Sequence, residues 1–490
     1  MSYQPVIGLE MHAVMETQSK MFCDCPVVDS THAEPNDAVC PVCAGMPGML
    51  PVLNKAAVEY ALRVALALNC EIQLHSIFER KSYFYPDLPK GFQISQYQEP
   101  LAVNGWLEFE SGGREERVRI RRVHLEEDTG KLTHREEEGR RFSLVDLNRS
   151  GIPLLEIVTE PDLHSPEAVR DFAYELRSVL RYLGVNSGNL EKGLLRIEPN
   201  ISIRPKGSEE LFTRVEVKNL NSFRSVERAV EFEIERQSRQ VAAGEKVLQQ
   251  TLGWDDLARQ TLPQRSKEVA EDYRYFPEPD LPPLMLDEEW IAEIRAGLPE
   301  MPSAKRQRFV SDYGLKAYDA AVLAADREVG DFFERSLRLS EAQDGKEVAN
   351  WITGALFARL NDKGLLIGES GVSAQRFAAL MDLLGQGRIN PAGARQLLDA
   401  MFASQAAPAK LMDKLGLEQV SSDEEIGAQI SKLIAENPAN VAAYLGGKTE
   451  LLNWFFGQVM GAFSGKANPQ VVREGLQAAF AKLEQEQSNE

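Results

Sequence analysis

The stretch 195–204 alternates between apolar and polar side chains, and that period of two constrains the chain more than any other feature. Leu195, Ile197, Ile201 and Ile203 share one parity, broken only by Pro199; Arg196, Glu198, Asn200, Ser202 and Arg204 share the other. Successive strand residues leave opposite faces, so this pattern predicts a half-buried strand rather than a helix. After the turn formers Pro205, Lys206, Gly207 and Ser208, Arg214, Glu216 and Lys218 alternate with Val215 and Val217. A hairpin over 195–218 follows, with one buried face and one charged face. On a lone hairpin such a charged face is a solvated surface with cross-strand ion pairs. Here other strands repeat it.

Ile7, Leu9 and Met11 alternate with Gly8, Glu10 and His12. Glu10 and His12 therefore share a face, about 7 Å apart by strand rise; alone, they read as a surface pair. Between Arg117 and Asp128, Val118 and Ile120 set one parity while Val123 and Leu125 set the other. A bulge between them accounts for the switch and puts His124 and Glu126 on the polar side. Arg117, Arg119 and Arg121 form a basic stripe, and Val145 and Leu147 alternate with Asp146 and Asn148. The polar faces thus offer Glu10/His12, His124/Glu126, Asp146/Asn148, Glu198/Asn200 and Glu216/Lys218. Carboxylates crowded on one sheet repel unless cations sit among them. Oxygen-rich groups with a histidine suit Mg²⁺, typically shared with nucleotide phosphates. A Gly-rich phosphate loop is missing, because Gly446-Gly447-Lys448-Thr449 has Ala442 where the first glycine would stand. Metal and basic side chains would have to hold phosphate instead.

Two helices are expected against this sheet. Ser165 caps and Pro166 starts one that ends at Gly184, with Val169, Phe172, Leu176, Val179 and Leu183 as its apolar stripe. The other runs from about Ser225 to Gly244 around Val226, Val230 and Ile234. Two prolines in Arg80–Gly91 exclude a central strand and leave an aromatic loop carrying Lys81 and Lys90. That loop either holds a base or phosphate, or tucks its rings over the core.

Cys23-x-Cys25, fourteen residues, then Cys40-x2-Cys43 has the two-pair layout of a tetrahedral thiolate zinc site. Four thiolates leave no open coordination position, so such a zinc is structural. Cys70, after the helical run Ala56–Leu68, reads as an ordinary core cysteine. The net charge of −19 argues against a protein that coats nucleic acid through its overall field, but leaves room for a local basic patch. Met1-Ser2-Tyr3-Gln4-Pro5 has no basic region before an apolar core, and no apolar run approaches a bilayer span. A soluble, cytoplasmic chain is expected, and that setting disfavours disulfides among the cysteines. Helical periodicity dominates from Glu288 onward. A last module begins near Ser421, with a capping box at Ser422-Asp423-Glu424-Glu425, and Asn468 caps its final helix. Gly457, Gly461 and Gly465 recur at four-residue spacing there, which suits close approach of another backbone, either a neighbouring helix or RNA.

Several long segments carry a resemblance. They are Gly8-Leu9-Glu10-Met11-His12, Arg80–Gly91, His124-Leu125-Glu126-Glu127-Asp128, Asp146-Leu147-Asn148-Arg149-Ser150-Gly151, Glu156-Ile157-Val158-Thr159-Glu160-Pro161-Asp162, Glu216–Ser222 and Asp272–Asp280. Over its full length the chain resembles the B-subunit family of the aspartyl/glutamyl-tRNA amidotransferases, ATP-dependent enzymes that make Gln-tRNA(Gln) and Asn-tRNA(Asn) indirectly. The resemblance implies an α+β chain: an N-terminal antiparallel-sheet cradle related to the glutamine synthetase fold, followed by two all-α modules. It places the catalytic cradle at 1–287, with a zinc-binding insertion at about 20–45, a helical domain at 288–414, and a tRNA-contacting tail at 415–490. It implies phosphorylation of the side-chain carboxylate of misacylated Glu-tRNA(Gln) or Asp-tRNA(Asn), then amidation by ammonia from an amidase A subunit, with a small C subunit completing a heterotrimer.

The expected site is a single cluster. Glu10, His12, Glu126 and Glu216 hold Mg²⁺; Asn148, Glu198 and Asn200 are neighbours; Lys81, Lys90, Arg204 and Lys218 contact phosphate or carboxylate; Cys23, Cys25, Cys40 and Cys43 hold Zn²⁺. The family usually has Asp where Glu198 stands, so the carboxylate is kept but moved by one methylene. The alternative reading is a non-catalytic adaptor that holds tRNA beside the amidase, with the acidic face merely structural.

Overall fold

The computed structural model describes residues 3–29, 32–264, 273–419, 422–463 and 465–488. The first two residues, Asp272 and Ser421 of the segments above lie outside them. The chain divides into two compact units, one up to Lys305 and the other from Arg306.

The first unit is built on a nine-stranded sheet. Its strands are β1 (Tyr3–Val14), β2 (Glu71–Ile72), β3 (Ala102–Ser111), β4 (Arg114–Glu127), β5 (Pro153–Thr159), β6 (Leu195–Pro205), β7 (Val215–Lys218), β8 (Gln250–Asp255) and β9 (Gln260–Pro263). Across the sheet they run β9-β8-β7-β6-β1-β5-β4-β3-β2. The 195–218 hairpin is present as β6 and β7, antiparallel, with Asn200 opposite Glu216. One pair departs from the antiparallel expectation: β7 and β8 are parallel. A helix over Phe223–Ala242 connects them, and a crossover helix returns the chain in the same direction. The sheet is therefore mixed.

The parity switch in β4 is also present. Val158 pairs with Arg122 and Thr159 with Ile120, so Arg121 is an extra residue on β4. Val118, Ile120, Val123 and Leu125 consequently all reach the same core. Arg117, Arg119 and Arg121 stay on the surface and pair with Glu108, Asp162 and Glu160.

Three helices pack with the apolar sheet residues: α1 (Lys55–Ala67), α2 (Pro166–Tyr182) and α3 (Phe223–Ala242). Each starts on a side chain that accepts an orphan N–H. Asn54 caps α1 at Ala56 (2.9 Å), Ser165 caps α2 at Ala168 (3.0 Å) and Ser222 caps α3 at Ser225 (3.0 Å). Val169, Phe172, Leu176 and Val179 of α2 join Leu9, Met11, Leu155 and Ile197 of the sheet in one buried cluster. Cys70 lies against Gly105, where a Cβ would come within 2.3 Å of the Cys70 sulfur.

Residues 140–146 do not join the large sheet. They pair with 131–137 as a separate hairpin, so Asp146 and Asn148 are absent from its polar face. Local alternation sets which residues share a face, but not which sheet the strand enters.

The second unit is helical and holds two apolar cores, one among residues 309–412 and one among 426–480. The capping bonds read from sequence are made: Ser422 Oγ accepts from Glu425 N, and Asn468 Oδ1 from Gln470 N. Gly457 and Gly461 on α4 (Leu451–Ala462) face open space, so no described helix packs against them. No described helix is long and apolar enough to cross a membrane.

Candidate functional site

The polar face of the sheet collects side chains from five adjacent strands. In register, Glu10 stands opposite Glu198 on β6, while His12 stands opposite Glu156 on β5. Glu156 in turn faces His124 on β4, and Asn200 faces Glu216 on β7. Because β1 is central, its two polar residues reach neighbours on both sides. The single cluster expected from sequence is thereby split in two.

One group is Glu10, Glu198 and Glu216, whose oxygens lie within 4.8 Å of one another. Lys218 Nζ stands 2.5 Å from Glu198 and 3.3 Å from Glu216. Asn200 Nδ2 donates to Glu10 at 3.4 Å, and Thr251 Oγ1 donates to Glu216 at 2.7 Å. Burial, then the charges of Glu156, Glu216 and Glu198, raise the Glu10 carboxyl above its ordinary value. Burial opposes the Lys218 charge, but Glu198 and Glu216 outweigh it and raise the ammonium.

The other group is His12, Glu126 and Glu156, again within 4.8 Å. His12 Nε2 is 3.4 Å from both carboxylates, and His124 Nε2 is 3.2 Å from Glu156. Burial alone would lower His12; the Glu156 hydrogen bond and the Glu156 and Glu126 charges raise it instead. Burial would likewise raise Glu156, yet the His124 charge and the hydrogen bonds from His12 and His124 hold it well below the usual range. Both imidazole Nδ1 atoms are buried without a partner. One ammonium cannot offset three carboxylates in the first group, and oxygen donors with at most one imidazole suit a hard divalent cation in both.

An aromatic wall borders the second group. Tyr97 and Tyr275 stack at 4.4 Å, Lys81 lies 5.3 Å from the Tyr273 ring, and Arg122 lies 5.2 Å from the Tyr97 ring. Burial works against the Lys81 charge, but Glu126 and the neighbouring groups raise it. Arg80 holds this wall in place through a bidentate pair with Glu278 at 2.7 Å.

Other expected residues lie elsewhere. Lys90 is paired with Glu127. Arg204 sits at the end of β6 opposite Gln4, with its buried Nε unpartnered. Asn148 is fully buried and binds the cysteine loop, accepting from Ala38 N at 2.9 Å and donating to Glu34 O at 2.7 Å. Glu156 is the site residue that sequence reasoning missed. Its local signal is a carboxylate in the middle of Leu154-Leu155-Glu156-Ile157-Val158, which also opens one of the segments that carry the family resemblance.

Cys23, Cys25, Cys40 and Cys43 converge with all four sulfurs within 4.8 Å, and this group could hold a metal ion. All four are free thiols, as is buried Cys70. The Cys23 hydrogen bond, against burial, draws the Cys43 thiol down to about 4, with the Cys40 N–H and the Lys20 charge assisting. Four such donors suit zinc in a closed tetrahedral site.

The first unit thus carries two carboxylate-rich groups on one face of a mixed sheet, and the second unit is helical. The GatB/GatE catalytic domain matches residues 5–292, and the GatB domain matches residues 331–480. The chain belongs to the GatB family. It is 50% identical to the B subunit of the aspartyl/glutamyl-tRNA(Asn/Gln) amidotransferase of Thermomicrobium roseum, over 98% of this chain and 99% of that protein. The proteins of the same name from Persephonella marina and Roseiflexus castenholzii are 46% and 47% identical, covering 97% and 98% of this chain and 99% and 100% of theirs.

Proposed function

We propose that this chain is the activating subunit of a tRNA-dependent amidotransferase, working on Glu-tRNA(Gln), Asp-tRNA(Asn) or both. The observation that carries this is the pair of metal-capable groups set side by side across the sheet, each taking one residue, Glu10 or His12, from the central strand. An adaptor has no need of them.

A carboxylate is a poor acceptor for an amine until one oxygen is made a leaving group. In this reading the substrate's side-chain carboxylate oxygen attacks the terminal phosphorus of ATP, and the bond to the bridging oxygen breaks to release ADP. Ammonia then attacks the acyl carbon, inorganic phosphate leaves with the C–O bond electrons, and nitrogen loses a proton. Glu10, Glu198 and Glu216 would hold one Mg²⁺, and His12, Glu126 and Glu156 a second. Bound there, magnesium supplies charge neutralisation at the transferring phosphoryl. Lys218 and Lys81, both kept protonated by their acidic neighbours, bind and orient anionic oxygens at the two groups. His124 orients Glu156, and the Tyr97–Tyr275 stack borders the site on one side.

The remaining assignments extend this reading. The N-terminal cradle is related to the glutamine synthetase fold, and a helical domain and a tRNA-contacting tail follow it. A structural Zn²⁺ sits on the four cysteines. The protein works in the cytoplasm in a heterotrimer with an amidase A subunit, which supplies ammonia, and a small C subunit. The deciding experiment is ATP hydrolysis by the assembled complex. It should require both Mg²⁺ and misacylated tRNA; hydrolysis indifferent to tRNA, or none at all, would favour the adaptor.

A further inference from the structure

Lys20 has none of its surface exposed. Its ammonium donates to the carbonyl oxygens of Ala38 at 2.8 Å and Leu147 at 3.2 Å, and lies 3.6 Å from the Cys43 sulfur. Among the described residues no carboxylate forms an ion pair with it. A fully buried ammonium is strongly unfavourable without an opposite charge, and two carbonyl dipoles do not balance one. The group at its Nζ able to carry negative charge is the Cys43 sulfur, one corner of the four-cysteine cluster. Four thiolates around a dication carry a net charge of about −2, which is itself costly to bury. Each charge therefore answers the other.

We propose that Lys20 is the built-in counter-ion of the metal-loaded tetrathiolate, so that lysine and metal each stabilise the other in the core. This rests on the reading of the cysteines as a zinc site. The lysine is also a positioning residue. Besides its bond to Leu147, Ser150 Oγ donates to Cys43 O at 3.0 Å and Met21 N to Gly151 O at 2.7 Å, so the 147–151 loop is held against the cluster. Gly151 N then donates to Asp128 O at 2.9 Å, just past the end of β4 that carries Glu126. Charge balance at the metal is in this way linked to the placement of a catalytic strand.

The test compares the full-length wild type with Lys20→Met and Lys20→Arg, each purified in zinc. Zinc content is measured first, then release to a chromogenic chelator. The wild type should hold one zinc; Lys20→Met should release it at least tenfold faster, and Lys20→Arg at a rate closer to wild type. Stripping zinc should lower the melting temperature of the wild type more than that of Lys20→Met, because in the wild type the stabilisation by metal includes its coupling to the lysine. A wild type without zinc overturns the zinc reading and this proposal together. Zinc held by the wild type but released equally fast by Lys20→Met overturns the proposal alone. If Lys20→Met yields no folded protein, a folded, zinc-loaded Lys20→Arg supports a requirement for charge, and failure of both variants shows that shape matters instead and overturns it.

Discussion

Glu10 and His12 are separated by Met11 alone, yet they serve different carboxylate groups, Glu10 facing Glu198 across one edge of β1 and His12 facing Glu156 across the other. Their spacing is fixed by strand geometry rather than by loops, so two bound cations would be held at a constant separation.

Glu126→Gln keeps size and removes one charge. The fold should survive, with melting temperature near wild type. Amidation of Glu-tRNA with ATP and free ammonia should fall by about 10²-fold or more, on the scale of removing one electrostatic stabiliser. Glutaminase activity of the assembled complex, assayed without ATP or tRNA, should change little. Normal amidation by this variant would break the assignment.

Glu156→Gln should impair amidation comparably and also raise the Mg²⁺ concentration needed for half-maximal rate, because it removes charge from between His12 and His124. An unchanged Mg²⁺ titration would leave Glu156 structural.

The Glu10 carboxyl is raised by burial and then by Glu156, Glu216 and Glu198. A folded value above the unfolded one means that its contribution to stability is complete below the unfolded value. That contribution is lost as pH rises through the folded value. In metal-free protein, Glu10→Gln should therefore gain stability relative to wild type as pH climbs out of the ordinary carboxylate range. Mg²⁺ competes with that proton, so the thermal shift on adding Mg²⁺ to wild type should grow as pH rises above the ordinary carboxylate range. A shift independent of pH, or equally large in Glu10→Gln, would count against Glu10 as a ligand.

At Gly105 a Cβ would meet the Cys70 sulfur at 2.3 Å and the Leu68 carbonyl oxygen at 2.5 Å. Gly105→Ala should lower unfolding free energy by about 1–3 kcal/mol, the usual range for overpacking, and urea titration would read it. Stability unchanged within error would mean that the β3–α1 junction is looser than described.

Gly457 and Gly461 stand in open space on α4. Replacing both with Ala should raise helix stability by about 1 kcal/mol each while weakening tRNA binding, two effects of opposite sign. Unaltered tRNA affinity, measured by filter binding, would remove the RNA role of this face.

Much of the sheet was legible because period two survives in β1, β4 and β6, including the parity break that required a bulge. Glu156 was not legible, since Leu154 and Val158 share its parity and Leu154 packs in a small apolar cluster with Val14 and Ile152. On that patch the polar face is itself buried, and alternation vanishes. Asn148 is held elsewhere for a different reason: it lies two residues past the 140–146 strand, which pairs outside the sheet. Lys20 obeys no period at all, and only three-dimensional burial reveals it.

The extra residue at Arg121 makes β4 behave like text with a reading frame. Ahead of it, Val118 and Ile120 are in phase with the core; behind it, Val123 and Leu125 are, and His124 and Glu126 fall on the polar side. Removing one residue between Ile120 and Val123 would restore plain alternation, with Val118, Ile120, Val123 and Leu125 in one phase on a strand without a bulge. Leu125 would still face the core, and His124 and Glu126 the polar side, but the local bend and added twist that the bulge gives β4 would be lost. A single codon lost there would thus change the aim of His124 and Glu126 without changing the face they occupy.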